Sequence, residues 1–232
     1  MRILAFESSA KAASVALTED GRLVAEYFEN SGLTHSRTLM QMAADLLRSC
    51  DVAPEGVDAV AVAAGPGSFT GVRIGVAAAK GFAWGREIPC FGVSTLEAMA
   101  FAAGRARGLL CAVMDARRGE VYNALFDAAP DGPVRRTPDR AISLAQLGEE
   151  LKNIEKEKIV LGDGGLLCYT TLSGQVEDLC LLPEHLRQQR ASGVALAAER
   201  LAAAGLRPSA GELVPNYLRL SQAERERNKN RT

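Results

Sequence analysis

The sequence predicts an α/β protein built from two fused copies of a ribonuclease-H-like unit, each with the element order βββαβα. The order strand–strand–strand–helix–strand–helix occurs twice along the 232 residues, which indicates a duplicated structural unit. Apolar residues make up 47% of the chain and charged residues 24%, a composition typical of folded globular proteins. We place the two units at residues 1–102 and 103–232, with the seam near residues 100–108.

The first unit opens with three runs of apolar and alternating residues. They predict an antiparallel meander, because a glycine turn at Gly21 joins the second run to the third. The spacing of the apolar residues then becomes that of a helix. A continuous apolar run follows, which predicts a buried strand. A glycine-rich segment follows, residues 65–71, which we call the glycine loop. The predicted strands cover residues 2–7, 14–18, 22–28, 57–64 and 89–93, and the predicted helices cover residues 36–50, 72–85 and 95–103.

The second unit repeats this order more loosely. A tight turn at residues 117–119 joins its first two strands, and Ser143 is a suitable N-cap for its first helix. We expect the last helix of the chain to pack back on the first unit, and the polar tail at residues 221–232 to be frayed. The predicted strands cover residues 109–115, 120–127, 134–141 and 158–161 with a short strand near Cys180, and the predicted helices cover residues 143–152, a segment after the glycines of 162–165, and residues 192–204.

Charge and cysteine content exclude several classes of protein. The formal net charge is −1, so no global positive field attracts nucleic acid, and any contact with RNA is local or made through a partner. The five cysteines are odd in number and scattered, which fits reduced thiols better than a disulfide framework. The N-terminus has no signal-peptide pattern, and no segment reaches the roughly 20 apolar residues of a membrane helix. We therefore expect a cytoplasmic protein.

The glycine loop lies between a buried strand and a helix, where backbone N–H groups attract anions. It matches no established phosphate fingerprint: Val72 and Arg73 stand where a P-loop has its lysine and hydroxyl residue. Two interpretations stay open, a packing turn whose glycines permit close approach and an anion or nucleotide site. The candidate contacts for the second are Gly65, Gly67, Ser68, Thr70, Gly71 and Arg73.

The first two helices of the first unit, at residues 36–50 and 72–85, carry more apolar residues than one sheet face needs. Methionine suits adaptable contact surfaces, and small residues along the second helix permit close approach of another helix. Either both helices only cover the sheet, or part of their surface binds another protein. The candidate interface residues are Leu39, Met40, Met42, Ala43, Leu46, Leu47, Val72, Val76, Ala79 and Phe82.

Two carboxylates end corresponding strands, Glu7 in the first unit and Asp115 in the second. In duplicated ribonuclease-H-like proteins these strand ends face the cleft between the units, where two carboxylates hold a metal–nucleotide complex. Here two serines follow Glu7 in place of a glycine that admits phosphate, and two bulky arginines follow Asp115. We interpret the cleft as degenerate, and we assign no catalytic residue and no metal ligand.

His35 precedes the first helix, and position 39, one turn later, is Leu39 rather than a second histidine. A helical metal site places two histidines four residues apart, so we expect His35 to be a cap or a surface residue.

These residues together resemble the TsaB (YeaZ) family. The matching segments span most of the chain in the family's order, and those around the glycine loop and after Asp115 are highly specific to it. The main departure is Glu7, where the family usually has Asp. The segments are residues 3–9, 14–17, 35–36, 65–75, 115–122, 162–164 and 215–219.

The resemblance implies the duplicated actin-like ATPase fold and a non-catalytic role. Family members pair with the catalytic TsaD subunit through the two helices of the first unit, and TsaE joins as an ATPase. The assembly transfers a threonylcarbamoyl group to the adenosine beside the anticodon of certain tRNAs. It follows that tRNA is contacted indirectly and that ATP or ADP and metal are held by the partner subunits. Whether the chain forms a homodimer when alone stays open.

Two other functions stay open. The duplicated fold, the glycine loop and the pair Glu7 and Asp115 are also compatible with a self-sufficient nucleotide-binding phosphotransferase or ATPase of the sugar-kinase and actin class. An older label for the family, glycoprotease-like, suggests a metallopeptidase. The sequence shows no catalytic triad, no Cys–His pair and no zinc motif that would support peptidase chemistry.

Overall fold

A computed structural model describes residues 1–104 and 107–219 of the chain. The tail at residues 221–232, which we expected to be frayed, lies outside the described residues, as do two residues of the expected seam. The structure contains two mixed sheets with helices on their faces, and the predicted duplicated ribonuclease-H-like fold is confirmed. Nowhere in the described part of the chain is there a helix long and apolar enough to cross a membrane.

The first sheet has the strand order β3-β2-β1-β4-β5. Strands β1, β2 and β3 form the predicted antiparallel meander, and β4 and β5 add in parallel beside β1. Its elements are β1 (Arg2–Glu7), β2 (Ala13–Glu19), β3 (Arg22–Glu29), α1 (His35–Ser49), β4 (Ala59–Gly65), α2 (Phe69–Trp84), β5 (Cys90–Ser94) and α3 (Thr95–Ala102).

The second sheet repeats that order as β11-β10-β6-β7-β8, with β9 also paired to β7. The expected strand at residues 134–141 is in fact two short strands, β8 and β9, and the short helix α6 was not predicted. The elements are β6 (Leu109–Asp115), β7 (Glu120–Asp127), β8 (Val134–Arg135), β9 (Arg140–Ser143), α4 (Leu144–Lys152), β10 (Lys158–Leu161), α5 (Gly165–Leu172), β11 (Leu179–Leu181), α6 (Glu184–Arg187) and α7 (Ala191–Ala203).

Alternating side chains of the buried strands divide the interior into layers. Leu4 and Phe6 of β1 face one way and pack with α1 and α2, whereas Ile3 and Ala5 face the other way and pack with α7. Helix α3 contributes Leu96 and other side chains to the core of the second sheet, and α4 and α5 cover the opposite face of that sheet. Helices α3 and α7 thus lie between the two sheets.

Local sequence signals account for the helix starts. Ser68, Ser94 and Ser143 each accept a hydrogen bond from a backbone N–H in the first turn of α2, α3 and α4 respectively. Ser143 and Gln146 form a reciprocal capping box, which confirms the predicted N-cap of the first helix in the second unit. These caps satisfy backbone donors that have no partner inside a helix.

The glycines of α2 provide a matched stability test. A methyl group on Gly71 would overlap the carbonyl oxygen of Ser8, which is backbone and cannot move freely, whereas one on Gly81 has no heavy atom within 4 Å. We expect Gly71→Ala to lower the free energy of unfolding by at least about 2 kcal/mol through overpacking. Gly81→Ala should raise it by about 0.5–1 kcal/mol, because alanine restricts the unfolded chain. Urea unfolding midpoints measure both changes, and equal effects would contradict this account.

Candidate functional site

The glycine loop packs tightly against the turn between β1 and β2. Ser68 N–H donates to Ser9 O at 2.6 Å, and Ser8 Oγ donates to Gly71 O at 2.9 Å. A Cβ atom on Gly67 would lie 2.5 Å from Ser9 O, and one on Gly71 would overlap Ser8 O. The glycines therefore permit close approach of the protein's own backbone to the start of α2.

This packing fills part of the space beside the expected anion site, whose contacts stay predictions. The side-chain faces of Gly67 and Gly71 are filled by the β1–β2 turn, and that of Gly65 is filled by the carbonyl of Asn216. A phosphate that approached these three glycines from their side-chain faces would need the same space. The N–H of Gly71 is also used, since it donates to Ser68 Oγ at 3.3 Å. Anion contacts by Ser68 and Thr70 stay predictions.

Arg73, the charged member of the expected anion site, lies in an exposed aromatic cluster. Its guanidinium stacks 3.8 Å above the ring centroid of Phe69, and its Nε donates to the hydroxyl of Tyr217 at 2.8 Å. The Phe69 and Tyr217 rings are themselves stacked, with centroids 4.8 Å apart. These contacts orient the Arg73 side chain toward a residue 144 positions later in the chain.

Most of the residues expected at a partner interface are buried inside the chain itself. Their apolar side chains fill the layer between the helices and the first sheet, so they offer no surface in this structure, and the expectation that they line one is corrected. The buried residues are Leu39, Ala43, Leu46, Leu47, Val72, Val76, Ala79 and Phe82. Of the remaining two, Met42 is half-buried against the same core, and Met40 is 46% exposed.

The outward surface of the helix pair combines Met40 with residues that were not predicted there, and it also includes the polar residues Arg37, Gln41 and Arg48 of α1. Met40 and Ala44 are exposed on α1, and Ala77, Gly81 and Trp84 are exposed on α2. The spacing of four residues on α1, and of four and then three residues on α2, places them on one stripe per helix. Together they form a surface of small and apolar side chains, which we call the helix-pair face. Trp84, at its end, is 66% exposed.

Glu7 is fully buried at the end of β1. Its Oε1 accepts a hydrogen bond from Ser9 N–H at 2.6 Å, while its Oε2 has no hydrogen-bond partner among the residues that the structure describes. Burial raises the pKa of Glu7 to about 7, and the nearby carboxylate of Asp163 adds to this rise. Burial of the unpaired Oε2 favours the protonated carboxyl group, because burying the charged form costs desolvation energy.

A third acidic residue extends the expected pair in the cleft. Desolvation of its carboxyl group raises the pKa of Asp163, although the residue as a whole is exposed, and the charge of Asp115 raises it further. Asp163 Oδ1 accepts a hydrogen bond from the buried Gln189 at 2.6 Å. Asp115 itself is exposed and accepts from Arg117 N–H at 2.7 Å. Within residues 1–104 and 107–219, no group of three or more His, Cys, Asp or Glu side chains is arranged to hold a metal ion.

The segment at residues 213–219, which we call the clasp, connects the two sheets. Asn216 N–H donates to Ala64 O at 2.7 Å, at the end of β4. Three residues later, Arg219 donates to Ala116 O at 3.1 Å and forms an ion pair with Glu120 on β7. The clasp therefore binds the glycine-loop side of the first sheet to the hairpin of the second.

Sequence reasoning missed several of these residues and misjudged His35. Asp163 and Tyr217 lie in segments that carry the family resemblance, but the sequence assigned them no role. Gln189 carries no motif, and only the packed structure places it beside Asp163. His35 does not cap α1, since Thr34 holds the cap position. Its Nε2 instead bonds to the carbonyl of Ala10 at 2.8 Å, which ties α1 to the β1–β2 turn.

Comparisons with known proteins agree on one family. Residues 29–226 match the family model described as TsaD, tRNA N6-adenosine threonylcarbamoyltransferase. The tRNA threonylcarbamoyladenosine biosynthesis protein TsaB of Bacillus subtilis is 35% identical over 97% of this chain and 96% of its own length. The Escherichia coli protein of the same name is 38% identical over 71% of this chain and 72% of its own length.

Solved structures support the same fold. YeaZ from Pseudomonas aeruginosa superposes with a TM-score of 0.76 and 27% identity, covering 94% of this chain and 99% of that one. Component A of (R)-2-hydroxyglutaryl-CoA dehydratase from Acidaminococcus fermentans superposes with a TM-score of 0.51 and 11% identity, covering 87% and 99%, which is a likeness of fold alone.

The buried carboxyl of Glu7 predicts a specific pH dependence of stability. Its pKa in the folded chain is about 7, above the value of 4.5 expected when it is exposed. The folded state thus binds the proton more tightly, and stability is lost as the pH rises from about 4.5 through 7. We expect wild type to lose about 3 kcal/mol over this range relative to Glu7→Gln, which keeps the acceptor for Ser9 and cannot ionise. Urea unfolding across pH measures the difference, and parallel curves for the two proteins would disprove the assignment.

Proposed function

Because the chain belongs to the TsaB family and takes part in tRNA threonylcarbamoyladenosine biosynthesis, we propose that it acts as the non-catalytic partner of a TsaD-like subunit. In this role it binds and activates the subunit that transfers threonylcarbamoyl to the adenosine beside the anticodon. The observation that carries the proposal is the packing of the glycine loop. The space beside three of its glycines holds backbone from residues 8, 9 and 216.

The cleft supports the same conclusion. A nucleotide phosphate with its metal needs ionised carboxylates within reach, and burial raises the pKa of Glu7 to about 7, so this carboxyl is only partly ionised at neutral pH. Asp115 bonds to the backbone of its own turn. We propose that ATP or ADP and any metal are held by the partner subunits. The chain's own contribution is then a surface rather than a reactive group.

We propose the helix-pair face as that surface. The two helices carry exposed small and apolar side chains on adjacent stripes, which another pair of helices can approach closely. A stable interface buries roughly 800 Å² on each partner, an area that two helices of 15 and 16 residues can supply. We propose that the same face pairs two copies of the chain when the partner is absent. A TsaE-like ATPase then joins the heterodimer, and tRNA is contacted indirectly.

Ala77→Arg tests the face at its centre. In the free chain the new arginine side chain is exposed, so folding should be unaffected. In the complex the same side chain would keep the partner's helix away from α2. We expect the affinity for a TsaD-like subunit to fall at least about tenfold, measured by light scattering or calorimetry of the mixed proteins. Leu166→Asp on α5 is the matched control, because Leu166 is exposed and belongs to the other unit. Equal binding by Ala77→Arg and wild type would refute this interface.

Reconstituted tRNA modification tests the non-catalytic role itself. We expect no modified tRNA from the isolated chain with threonylcarbamoyl-adenylate, and restored activity when the TsaD-like subunit is added. Glu7→Gln should retain most of the activity of the mixture, since no reacting group is removed. Modification by the chain alone, or tight magnesium-dependent ATP binding in calorimetry, would replace the proposal with the phosphotransferase or ATPase alternative.

A further inference from the structure

Helices α1 and α2 carry an excess of positive charge, although the chain as a whole has a net charge of −1. With histidine neutral, the two helices together contain four basic residues and one acidic residue. The acidic residue, Asp45, is already bonded to Gln41 and Arg48 on its own helix. Neither helix has an acidic residue in its first turn, where a carboxylate would offset the positive end of the helix dipole.

An arginine stands at the start of each exposed stripe of the helix-pair face. Arg37 precedes Met40 by three residues on α1, and Arg73 precedes Ala77 by four residues on α2. Residues at these spacings are neighbours on a helix surface, so each arginine continues the stripe of its own helix. Both arginines are exposed.

The two arginines lie at the same end of the face, because both helix starts are attached to the β1–β2 turn. His35 at the start of α1 bonds to Ala10 O at 2.8 Å, and Ser68 at the start of α2 donates from its N–H to Ser9 O at 2.6 Å. The turn itself adds an exposed lysine, Lys11. We call three residues the basic end of the helix-pair face: Lys11, Arg37 and Arg73.

The charges of the basic end are not paired within the chain. Over the described ranges, no carboxylate lies within ion-pair distance of Lys11, Arg37 or Arg73. Glu29 lies near the start of α1 and offsets part of the charge there, but its carboxylate accepts a hydrogen bond from Ser31 N–H at 3.1 Å. The remaining positive charge is available to a partner.

Arg73 is already held in position for such a contact. Its guanidinium stacks 3.8 Å above the ring centroid of Phe69, and its Nε donates to the hydroxyl of Tyr217 at 2.8 Å. That bond uses Nε and leaves the two terminal nitrogens, which together can donate to both oxygens of one carboxylate. Because the side chain is ordered before binding, little conformational entropy is lost when the ion pair forms.

We propose that the basic end binds carboxylates on the TsaD-like partner and thereby selects that partner over a second copy of this chain. The inference rests on the proposed function, because it assigns a chemistry to the partner's surface. A second copy brings the same positive excess to the contact, so the pairing of two copies is the weaker association. A protein helix with acidic residues complements both the basic end and the adjoining stripes of Met40 and Ala77. A nucleic-acid backbone complements only the charge.

Arg37→Glu should move stability and binding in opposite directions. Arg37 lies three residues after the N-cap residue Thr34, where glutamate completes a capping box and offsets the helix dipole. The variant should therefore unfold at an equal or higher urea concentration than wild type. Combined with Arg73→Glu, it should bind the TsaD-like subunit at least about tenfold more weakly in calorimetry of the full-length proteins. Unchanged affinity of this double variant would overturn the proposal.

Arg22→Glu is the matched control for the change of charge. Arg22 is exposed and follows the β2–β3 turn, at the opposite end of the first sheet from the β1–β2 turn. We expect this variant to bind the TsaD-like subunit as tightly as wild type. A loss of affinity equal to that of the double variant would show an effect of net charge alone and would contradict the assignment to the basic end.

Salt dependence distinguishes the two occupants. Raising the salt concentration from about 50 mM to about 500 mM screens exposed charges. The heterodimer should weaken at least about tenfold over this range. The association of two copies, measured by sedimentation, should strengthen or stay the same, because screening relieves the repulsion between them. A homodimer that weakens with salt as strongly as the heterodimer would refute selection by charge.

Comparison with Ala77→Arg separates this inference from the proposed function. If Ala77→Arg weakens binding and the double variant does not, the helix-pair face is supported and only the selection by charge is refuted. If neither change weakens binding, the face itself is refuted, and the inference with it. If the double variant keeps its affinity for the TsaD-like subunit but the heterodimer binds an unmodified tRNA transcript more weakly, the basic end contacts RNA, which also refutes the proposal.

Discussion

The contact between the glycine loop and the β1–β2 turn is the constraint on which the rest of the structure depends. Residues without side chains at positions 67 and 71 allow Ser8 and Ser9 to reach the first turn of α2, and Ser68 N–H bonds to Ser9 O at 2.6 Å. This contact positions α2, and α1 is held by the same turn through the bond between His35 and the Ala10 carbonyl. The direction of both helices, and so the shape of their outer face, follows from one close approach of backbone to backbone.

The same approach changes what the duplicated fold can do. In a sheet of this topology, ligands bind beyond the carboxyl ends of the central strands. Here that region holds the β1–β2 turn, a buried Glu7 and the Asn216 carbonyl against Gly65. The backbone atoms in this region add packing contacts and leave less room for a phosphate. This filling agrees with the proposed role, in which the chain presents a surface and a partner subunit performs the reaction.

Much of the fold was predictable, because strand alternation and helix period are local properties of the sequence. Ser143 and its capping box are of this kind. Which helix residues lie on the surface could not be predicted in the same way. Leu39 and Met40 are both apolar, yet Leu39 is buried and Met40 is exposed. A wide apolar arc does not distinguish core residues from interface residues. The contact between Asp163 and Gln189 could not be predicted either, because it arises from packing between segments 26 residues apart that share no motif.

The clasp makes the parts of the molecule interdependent. Leu213 lies against Gly92 on β5, and its carbonyl accepts a hydrogen bond from Lys80 on α2 at 3.0 Å. Within six residues the same segment reaches the Asn216 bond to β4, the Tyr217 stack on α2 and the Arg219 ion pair on β7. The clasp therefore joins the first sheet, α2 and the second sheet through one short segment of the chain.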